Sequence, residues 1–294
     1  MPSEVRIREV GPRDGLQAEK PVKVADRIRL IDALAAAGVS EIEAVSFVSP
    51  KAVPSMAKAD QVLAGVERRP GVSYMALVPN VRGAEMALAA GVDGLSVTIS
   101  ASPAYNEKNV NRSIEESVEQ IEQICRLANG LWVDAVVSCA FGSPYEGDLD
   151  AVIVAGLGRR LMEVGATSLT FADTTGMATP AEIASLVALT GSNIRLHLHE
   201  TRGTGLVNAY AAMQLGVADF DTSIGGLGGS PFASGAAGNL ATEALVYLAD
   251  GLGLSTGIDL EGLLEASALV ARLIGRPVPA PVAAAGPRLR LSKA

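Results

Sequence analysis

Two histidines, His197 and His199, are the only histidines among the 294 residues, and they lie two positions apart in the stretch RLHLHE. Leu196 and Leu198 alternate with them, which predicts a strand. Side chains two apart in a strand point to the same face, so both imidazoles face one way. Two polar residues at the rim of a sheet would also fit this pattern. We favour half of a divalent-metal site, because partner ligands occur elsewhere in the chain.

Oxygen ligands for the same metal are predicted at Asp14, in the stretch GPRDGLQ, and at Asn239. Two imidazole nitrogens, one carboxylate and one amide oxygen suit a six-coordinate Mg²⁺ or Mn²⁺ ion. Each residue also has a structural interpretation. Asp14 precedes Gly15 and would fit a turn, and Asn239 could simply cap a helix. Beside two histidines, we favour the ligand role for Asp14, and Asn239 is the weaker candidate.

Arg13 stands next to the candidate ligand Asp14. A cation beside a metal ion is unfavourable unless an oxyanion of a substrate lies between them, so we expect Arg13 to stabilise an enolate or oxyanion. A surface salt bridge is the structural alternative. Glu43 lies late in a strand that helices would bury, and an interior carboxylate needs a partner. Arg13 is the obvious one, which would make Glu43 its positioner.

Hydrophobic periodicity along the chain predicts eight strands, each followed by a helix. The predicted strands are Val5–Val10, Glu41–Ser46, Val72–Val78, Gly94–Ile99, Leu131–Ser138, Ser168–Ala172, Asn193–His199 and Asp219–Ile224. The helix after the eighth strand is predicted over Gly238–Leu248, and one more over Leu260–Ile274. A capping box predicts that the helix Ile114–Ala128 begins after Ser113.

Eight strand-helix units in series predict a TIM (β/α)₈ barrel with an additional C-terminal helix. A doubly wound open sheet is the alternative, but no Gly-x-Gly-x-x-Gly follows the first strand. We expect a barrel domain over residues 1–275 and a Pro/Ala-rich tail over 276–294. The unusual residues fall after the strands, where the active sites of such barrels lie. The glycine-rich run after strand 8 would bind phosphate or serve as a lid.

Composition excludes several classes of function. With 24 Lys and Arg against 32 Asp and Glu, the net charge of -8 argues against nucleic-acid binding. No apolar run reaches membrane-spanning length without polar breaks, so we expect no membrane association. The two cysteines, Cys125 and Cys139, do not form a paired motif, which suits a reduced cytoplasmic compartment. A strand begins within a few residues of the N-terminus, so we expect no signal peptide.

Several stretches together resemble the 3-hydroxy-3-methylglutaryl-CoA (HMG-CoA) lyase family of the DRE-TIM metallolyases. The resemblance runs from Glu9 to about Asp250. Its motifs are EVGPRDGLQAEK, SFVSPKAVPSMA, SIEES, SCAFGSPYEG, ADTTG, HLHET and GGLGGSPFASGAAGNLATE. The first and the last are long and specific.

The resemblance implies a barrel that binds Mg²⁺ or Mn²⁺ through Asp14, His197, His199 and Asn239. It implies a retro-Claisen cleavage of an acyl-CoA substrate into a keto acid and an acyl-CoA, as in leucine degradation. The metal would lower the pKa of the substrate hydroxyl, and a base, either His197 or a neighbouring carboxylate, would remove its proton. Arg13 would stabilise the enolate, and Glu43 would support that centre. Lys20 and Lys51 are candidate contacts for the CoA end.

The chain departs from the family pattern in two stretches. Ser230 replaces a cysteine in the lid loop, and a hydroxyl is a far poorer acid than a thiol, so proton transfer there would be weakened. Glu200 and Arg202 replace an aspartate and a tyrosine in the motif after the histidines. An arginine at the site mouth could read a different acid or a phosphate. Both changes leave the metal ligands intact and put the exact substrate in doubt.

Other functions remain open at this point. A condensing acyltransferase of the isopropylmalate or homocitrate synthase type shares the Arg-Asp and His-x-His pattern, but usually carries a C-terminal extension. Thiolase-type and biotin-dependent carboxyltransferase domains are disfavoured for the same reason. A third alternative is a CoA- or metal-binding homologue impaired in turnover by Ser230. Barrels of this type often form homodimers, which we expect here.

Overall fold

The computed structural model describes residues 1–229 and 238–288. Eight parallel strands form a closed barrel in which each strand pairs with its neighbours in sequence, and β8 pairs with β1. The strands are β1 (Arg6–Glu9), β2 (Glu41–Ser46), β3 (Ser73–Leu77), β4 (Gly94–Ser100), β5 (Trp132–Ser138), β6 (Ser168–Ala172), β7 (Arg195–His197) and β8 (Asp219–Thr222). The predicted (β/α)₈ barrel is therefore confirmed.

Helices surround the barrel and cover its outer face. They are α1 (Val24–Ala36), α2 (Ala59–Gly65), α3 (Val81–Ala89), α4 (Pro103–Val110), α5 (Ile114–Ala128), α6 (Ala151–Glu163), α7 (Pro180–Thr190), α8 (Gly205–Gln214), α9 (Thr242–Gly251), α10 (Leu260–Ile274) and α11 (Pro281–Ala285). The capping box at Ser113 is present, with reciprocal hydrogen bonds to Glu116. Helix α10 is the additional helix that the sequence predicts. In the described ranges no helix has the length and apolarity needed to cross a bilayer.

Alternate residues of each strand divide between the helical layer and the barrel interior. Ile7, Leu196 and Phe220 are fully buried in the apolar core. Burying each such side chain contributes about 2 kcal/mol. Their strand neighbours Arg8 and Asp221 lie inside the barrel, where charged groups pair with one another. The outer layer therefore supplies apolar packing, and the interior holds a buried charged pair.

The predicted helix Gly238–Leu248 is wrong at its start, because α9 begins only at Thr242. The backbone before it is extended. His199 and Asn239 form an antiparallel bridge, and the Leu240 N–H donates to the Leu198 carbonyl at 2.8 Å. Asn239 is consequently held against the end of β7 rather than capping a helix.

Residues 276–288, the start of the predicted tail, return to the barrel. The short helix α11 lies here, and Ala280 is buried. The side chain of Val278 packs on Gly225, where an added Cβ would lie 2.7 Å from Val278 Cγ1. This segment therefore covers the base of the glycine-rich loop.

Candidate metal centre

Asp14, His197 and His199 lie together at the carboxyl end of the barrel. One ligand atom from each residue lies within 4.8 Å of the others. The two Nε2 atoms are 3.2 Å apart, and His197 Nε2 is 4.0 Å from Asp14 Oδ2. Both imidazoles point into the barrel mouth as the strand alternation predicts, although β7 itself ends at His197. A carboxylate and two imidazoles in this arrangement are a suitable donor set for a divalent cation.

Asn239 reaches the same cluster from the loop after β8. Its amide Nδ2 donates to Asp14 Oδ2 at 2.6 Å and to the Leu227 carbonyl at 2.9 Å. Its Oδ1 is buried and has no hydrogen-bond partner among the described residues. A buried acceptor next to a carboxylate and two imidazoles fits the fourth donor of a metal site.

Gly228 lets the loop pass close to this cluster. Its φ is +93°, and a Cβ there would lie 2.6 Å from Asn239 Nδ2 and 3.0 Å from Asp14 Oδ2. Both the backbone conformation and the lack of space require glycine.

Arg13 joins the cluster to Glu43, as the sequence predicts. Its Nε donates to Glu43 Oε2, and its Nη1 donates to Asp14 Oδ1 at 2.8 Å. In the described parts of the chain no acceptor binds Arg13 Nη2. Two carboxylates therefore fix the plane of the guanidinium, and one amino group remains for a substrate oxygen. Burial opposes ionisation of Asp14, but the charges of Arg13 and the two histidines and the hydrogen bond from Asn239 together outweigh it and hold the pKa of Asp14 below its ordinary value.

A cavity of about 680 Å³ opens over the cluster and could hold part of a large ligand. Its polar lining includes Arg13, Asp14, Gln17, Glu43, Ser49, Asn80, Arg112, Thr174, His197 and His199. Lys20 and Lys51 are exposed and do not line it, although Ala18 and Ala52 beside them do. Ser230 lies outside the described residues.

The two substituted residues after the histidines serve the local fold. Glu200 accepts from the Leu206 N–H at 2.8 Å and so caps the start of α8. Arg202 Nη1 donates to the carbonyls of Thr175 and Gly176, both at 2.8 Å, and it does not line the cavity. The expectation that Arg202 reads an acid or phosphate at the mouth therefore finds no support here.

The residues behind the histidines were not predicted from the sequence. Asp221 Oδ2 lies 3.1 Å from His197 Nδ1. Arg8 donates two hydrogen bonds of 2.8 Å to the same carboxylate. Burial opposes ionisation of Asp221, but Arg8 and His197 together lower its pKa. In the sequence, Arg8 and Asp221 are visible only as charged residues within the predicted strands β1 and β8. The sequence does not indicate that they pair with each other or with His197.

The carboxylate of Glu9 connects β1 to the segment after β8 through hydrogen bonds. Its carboxylate accepts from the Gly11 N–H at 2.7 Å, the Ile224 N–H at 2.8 Å and the Thr242 hydroxyl at 2.5 Å. Glu243 holds the next residue, with the Gly225 N–H donating to it at 3.0 Å. Burial raises the pKa of Glu9 to about 8 against these three hydrogen bonds.

This pKa predicts a pH dependence of stability at Glu9. The folded protein holds the proton up to about pH 8, and the unfolded chain releases it near 4.5. Stability from this group is therefore complete below 4.5 and is lost as the pH rises through 8. Glu9→Gln keeps the acceptor and the shape. We expect it to stay within about 1 kcal/mol of the wild type at pH 5 and to exceed its unfolding free energy by on the order of 5 kcal/mol at pH 9.

Urea unfolding at both pH values measures this difference. Glu163→Gln, at an exposed carboxylate of α6, is the matched control and should follow the wild-type curve at both pH values. Parallel pH curves for Glu9→Gln and the wild type would contradict the assignment.

The fold and the site together define an enzyme-type (β/α)₈ barrel with a cluster suited to bind a metal ion at its catalytic end. Among such barrels, the chain belongs to the HMGL-like family, whose model matches residues 4–270. The predicted family is thus confirmed.

Individual relatives are similar to this chain over nearly its whole length. The 3-hydroxy-3-isohexenylglutaryl-CoA/hydroxymethylglutaryl-CoA lyase of Pseudomonas aeruginosa is 44% identical over 284 residues, which cover 94% of this chain and 95% of that protein. The human mitochondrial hydroxymethylglutaryl-CoA lyase is 42% identical, with 97% and 90% covered. An HMG-CoA lyase from Acinetobacter baumannii, solved with coenzyme A and 3-methylmalate, superposes with a TM-score of 0.95 at 37% identity, with 99% and 98% covered. These relatives favour the lyase over the condensing acyltransferase.

Proposed function

We propose that this protein is a divalent-metal-dependent carbon-carbon lyase that cleaves HMG-CoA or a related 3-hydroxy-3-carboxymethyl acyl-CoA. The cluster of Asp14, His197 and His199 at the mouth of the barrel, with Arg13 beside it, is the observation that carries the proposal. The printed names of the relatives supply the substrate class.

Asp14, His197, His199 and Asn239 would hold Mg²⁺ or Mn²⁺. When bound, the cation supplies Lewis acidity to the hydroxyl and carboxylate oxygens of the substrate. Oxygen donors and the lack of a thiolate in the set favour these metals.

The chain's own groups handle charge and protons. Cleavage of the C2–C3 bond turns the 3-hydroxyl carbon into a ketone and leaves the electron pair on the acyl-CoA as an enolate. Arg13 Nη2 would donate to that oxyanion while Glu43 holds the guanidinium plane. Removal of the hydroxyl proton would fall to His197 or to a neighbouring carboxylate, and Asp14 and Glu43 both line the cavity.

The CoA end would extend from the cavity towards solvent. Lys20 and Lys51 are exposed and lie within two residues in sequence of the cavity-lining Ala18 and Ala52, and their ammonium groups would suit the phosphates of CoA. The related lyase solved with coenzyme A supports this class of ligand.

The direct test is cleavage of HMG-CoA by the purified protein, followed as free keto acid. We expect turnover with Mg²⁺ or Mn²⁺, complete loss after removal of metal by EDTA, and recovery on adding either ion back. Release of free CoA from an acyl-CoA and a keto acid, without cleavage of any 3-hydroxy acyl-CoA, would instead establish the condensing function.

Ser230 stands where the family has a cysteine, and this difference gives a separate prediction about proton transfer. A thiol has a pKa near ~8.5 and exchanges protons far more readily than a hydroxyl. We therefore expect Ser230→Cys to raise kcat on HMG-CoA by ~10-fold or more. Ser234→Cys, four residues further along the same segment, is the matched control. Equal rates in wild type and Ser230→Cys would show that this position takes no part in proton transfer, and activity found only in Ser230→Cys would indicate an impaired homologue.

We also propose a cytoplasmic homodimer that acts in leucine degradation. The free Cys125 and Cys139 suit a reducing compartment, and exposed apolar side chains such as Ile153 and Val207 offer contact area. Sedimentation velocity tests the dimer, and growth on leucine of a strain without this gene tests the pathway.

A further inference from the structure

A chain of buried charged groups runs through the barrel interior and ends on His197. Arg8 on β1 lies between two carboxylates, Asp134 of β5 and Asp221 of β8, and all three side chains are at most 2% exposed. Arg8 Nε and Nη2 donate to the two oxygens of Asp221, and Nη1 donates to Asp134 at 2.9 Å. Buried charges are retained where they are paired on every side, which this network achieves.

The two ends of the network differ. Asp134 is otherwise bonded to hydroxyl groups, with Thr170 Oγ1 donating at 2.7 Å and Ser168 Oγ at 2.6 Å. Asp221 is instead bonded to an imidazole, that of His197, through Nδ1 at 3.1 Å. Only one end therefore communicates with the metal centre.

The two nitrogens of His197 face opposite groups. Nδ1 faces Asp221, and Nε2 lies 3.2 Å from His199 Nε2 and 4.0 Å from Asp14 Oδ2. A carboxylate that forms a bidentate salt bridge with a guanidinium group remains ionised, and an ionised carboxylate can only accept hydrogen bonds. The proton of a neutral His197 ring therefore belongs on Nδ1, which leaves the lone pair of Nε2 directed at the other ligands.

We propose that Asp221 is a positioning residue of the metal centre: held by Arg8, its carboxylate fixes the rotation and tautomer of His197. The inference rests on the proposed function only in that His197 binds a metal. A carboxylate behind a ligating imidazole also makes the opposite nitrogen a stronger donor, and such partners typically contribute 10–100-fold to metal affinity.

The tautomer can be read in the unmodified protein. The chain has only two histidines, so a long-range ¹H–¹⁵N spectrum of the metal-free protein at pH 9 shows only two imidazoles, and His199→Gln assigns them. We expect the Nδ1–H tautomer for His197, although a histidine free in water favours Nε2–H. An Nε2–H tautomer, or a ring protonated on both nitrogens, would overturn the proposal.

Metal affinity provides the second readout, with Mn²⁺ alone as the probe. We expect Asp221→Asn to raise the Kd for Mn²⁺, measured from the EPR signal of the free ion, by ~10–100-fold. Asp134→Asn is the matched control, because it removes the other carboxylate of Arg8 without contacting His197. It should stay within about 3-fold of the wild type. Equal losses in the two variants would assign Asp221 a purely structural role and overturn the proposal.

A double variant separates this inference from the metal site itself. If Asp221 acts through His197, adding Asp221→Asn to His197→Ala should weaken Mn²⁺ binding no further, whereas independent effects would multiply and overturn the proposal. If His197→Ala alone binds Mn²⁺ as the wild type does, the metal assignment fails, and with it the proposed function and this inference. Wild-type Mn²⁺ binding without cleavage of HMG-CoA would refute only the proposed substrate.

Discussion

Asp14→Asn is expected to reduce kcat for HMG-CoA cleavage by on the order of 10³-fold, about 4 kcal/mol of transition-state stabilisation. The variant keeps the shape of the side chain and removes its charge. Asp14 is the only carboxylate in the described cluster with the two histidines, so its neutralisation removes the formal negative charge of the proposed ligand set. We expect Mn²⁺ affinity to fall by ~100-fold or more in the same variant.

Circular dichroism and Mn²⁺ titration check this result together. Asp26→Asn, a partly buried carboxylate on the remote helix α1, should leave both Kd and kcat unchanged. Full Mn²⁺ affinity in a folded Asp14→Asn protein would remove Asp14 from the ligand set, whatever its effect on rate.

Much of this centre could be predicted from the sequence, because a barrel brings its strand ends together. Once eight strand-helix units were recognised, Asp14 after β1 and the histidines of β7 had to converge at one end. The pairing of Arg13 with Glu43 followed from a buried carboxylate that needed a nearby cation. The structure brings these residues together, and the metal itself stays a prediction.

The extended backbone at Asn239 could not be predicted in the same way. Residues 240–250 carry a helical apolar pattern, and periodicity gave no reason to begin the helix only at Thr242. What decides the conformation is a long-range backbone pairing with Leu198 and His199, which no local pattern records. Helix α4 was missed for the opposite reason, since the stretch PAYNEKNV has few apolar residues to form a periodic face.

The hydrogen-bond network around Arg8 inside the barrel could not be predicted from the sequence either. Alternation in β1 and β8 places Arg8 and Asp221 on one face of each strand, but a charged residue inside a sheet is more often assigned to solvent. Its partners come from β5, β6 and β8, between 126 and 213 residues away in sequence. Only strand register and barrel closure bring them within hydrogen-bond distance.

Arg13→Lys is expected to reduce kcat by ~10²–10³-fold while changing the Kd for Mn²⁺ by less than about 3-fold. The guanidinium binds Glu43 through Nε and Asp14 through Nη1, and this geometry directs the remaining amino group. Lysine keeps the charge but has one ammonium, which cannot bind both carboxylates in fixed directions and also reach a third oxygen. The loss should therefore appear in the chemical step, measured as single-turnover rate at saturating HMG-CoA.

Glu43 determines how this result is interpreted. If its carboxylate acts by holding Arg13, then Glu43→Gln should lower kcat on its own, and Arg13→Lys with Glu43→Gln should be little slower than Arg13→Lys alone. If the two losses in kcat multiply in the double variant, Glu43 has a role that is independent of Arg13. A fall in Mn²⁺ affinity for Arg13→Lys equal to that of Asp14→Asn would contradict the oxyanion role. Arg13 would then act mainly by orienting Asp14, through the 2.8 Å bond between Nη1 and Oδ1.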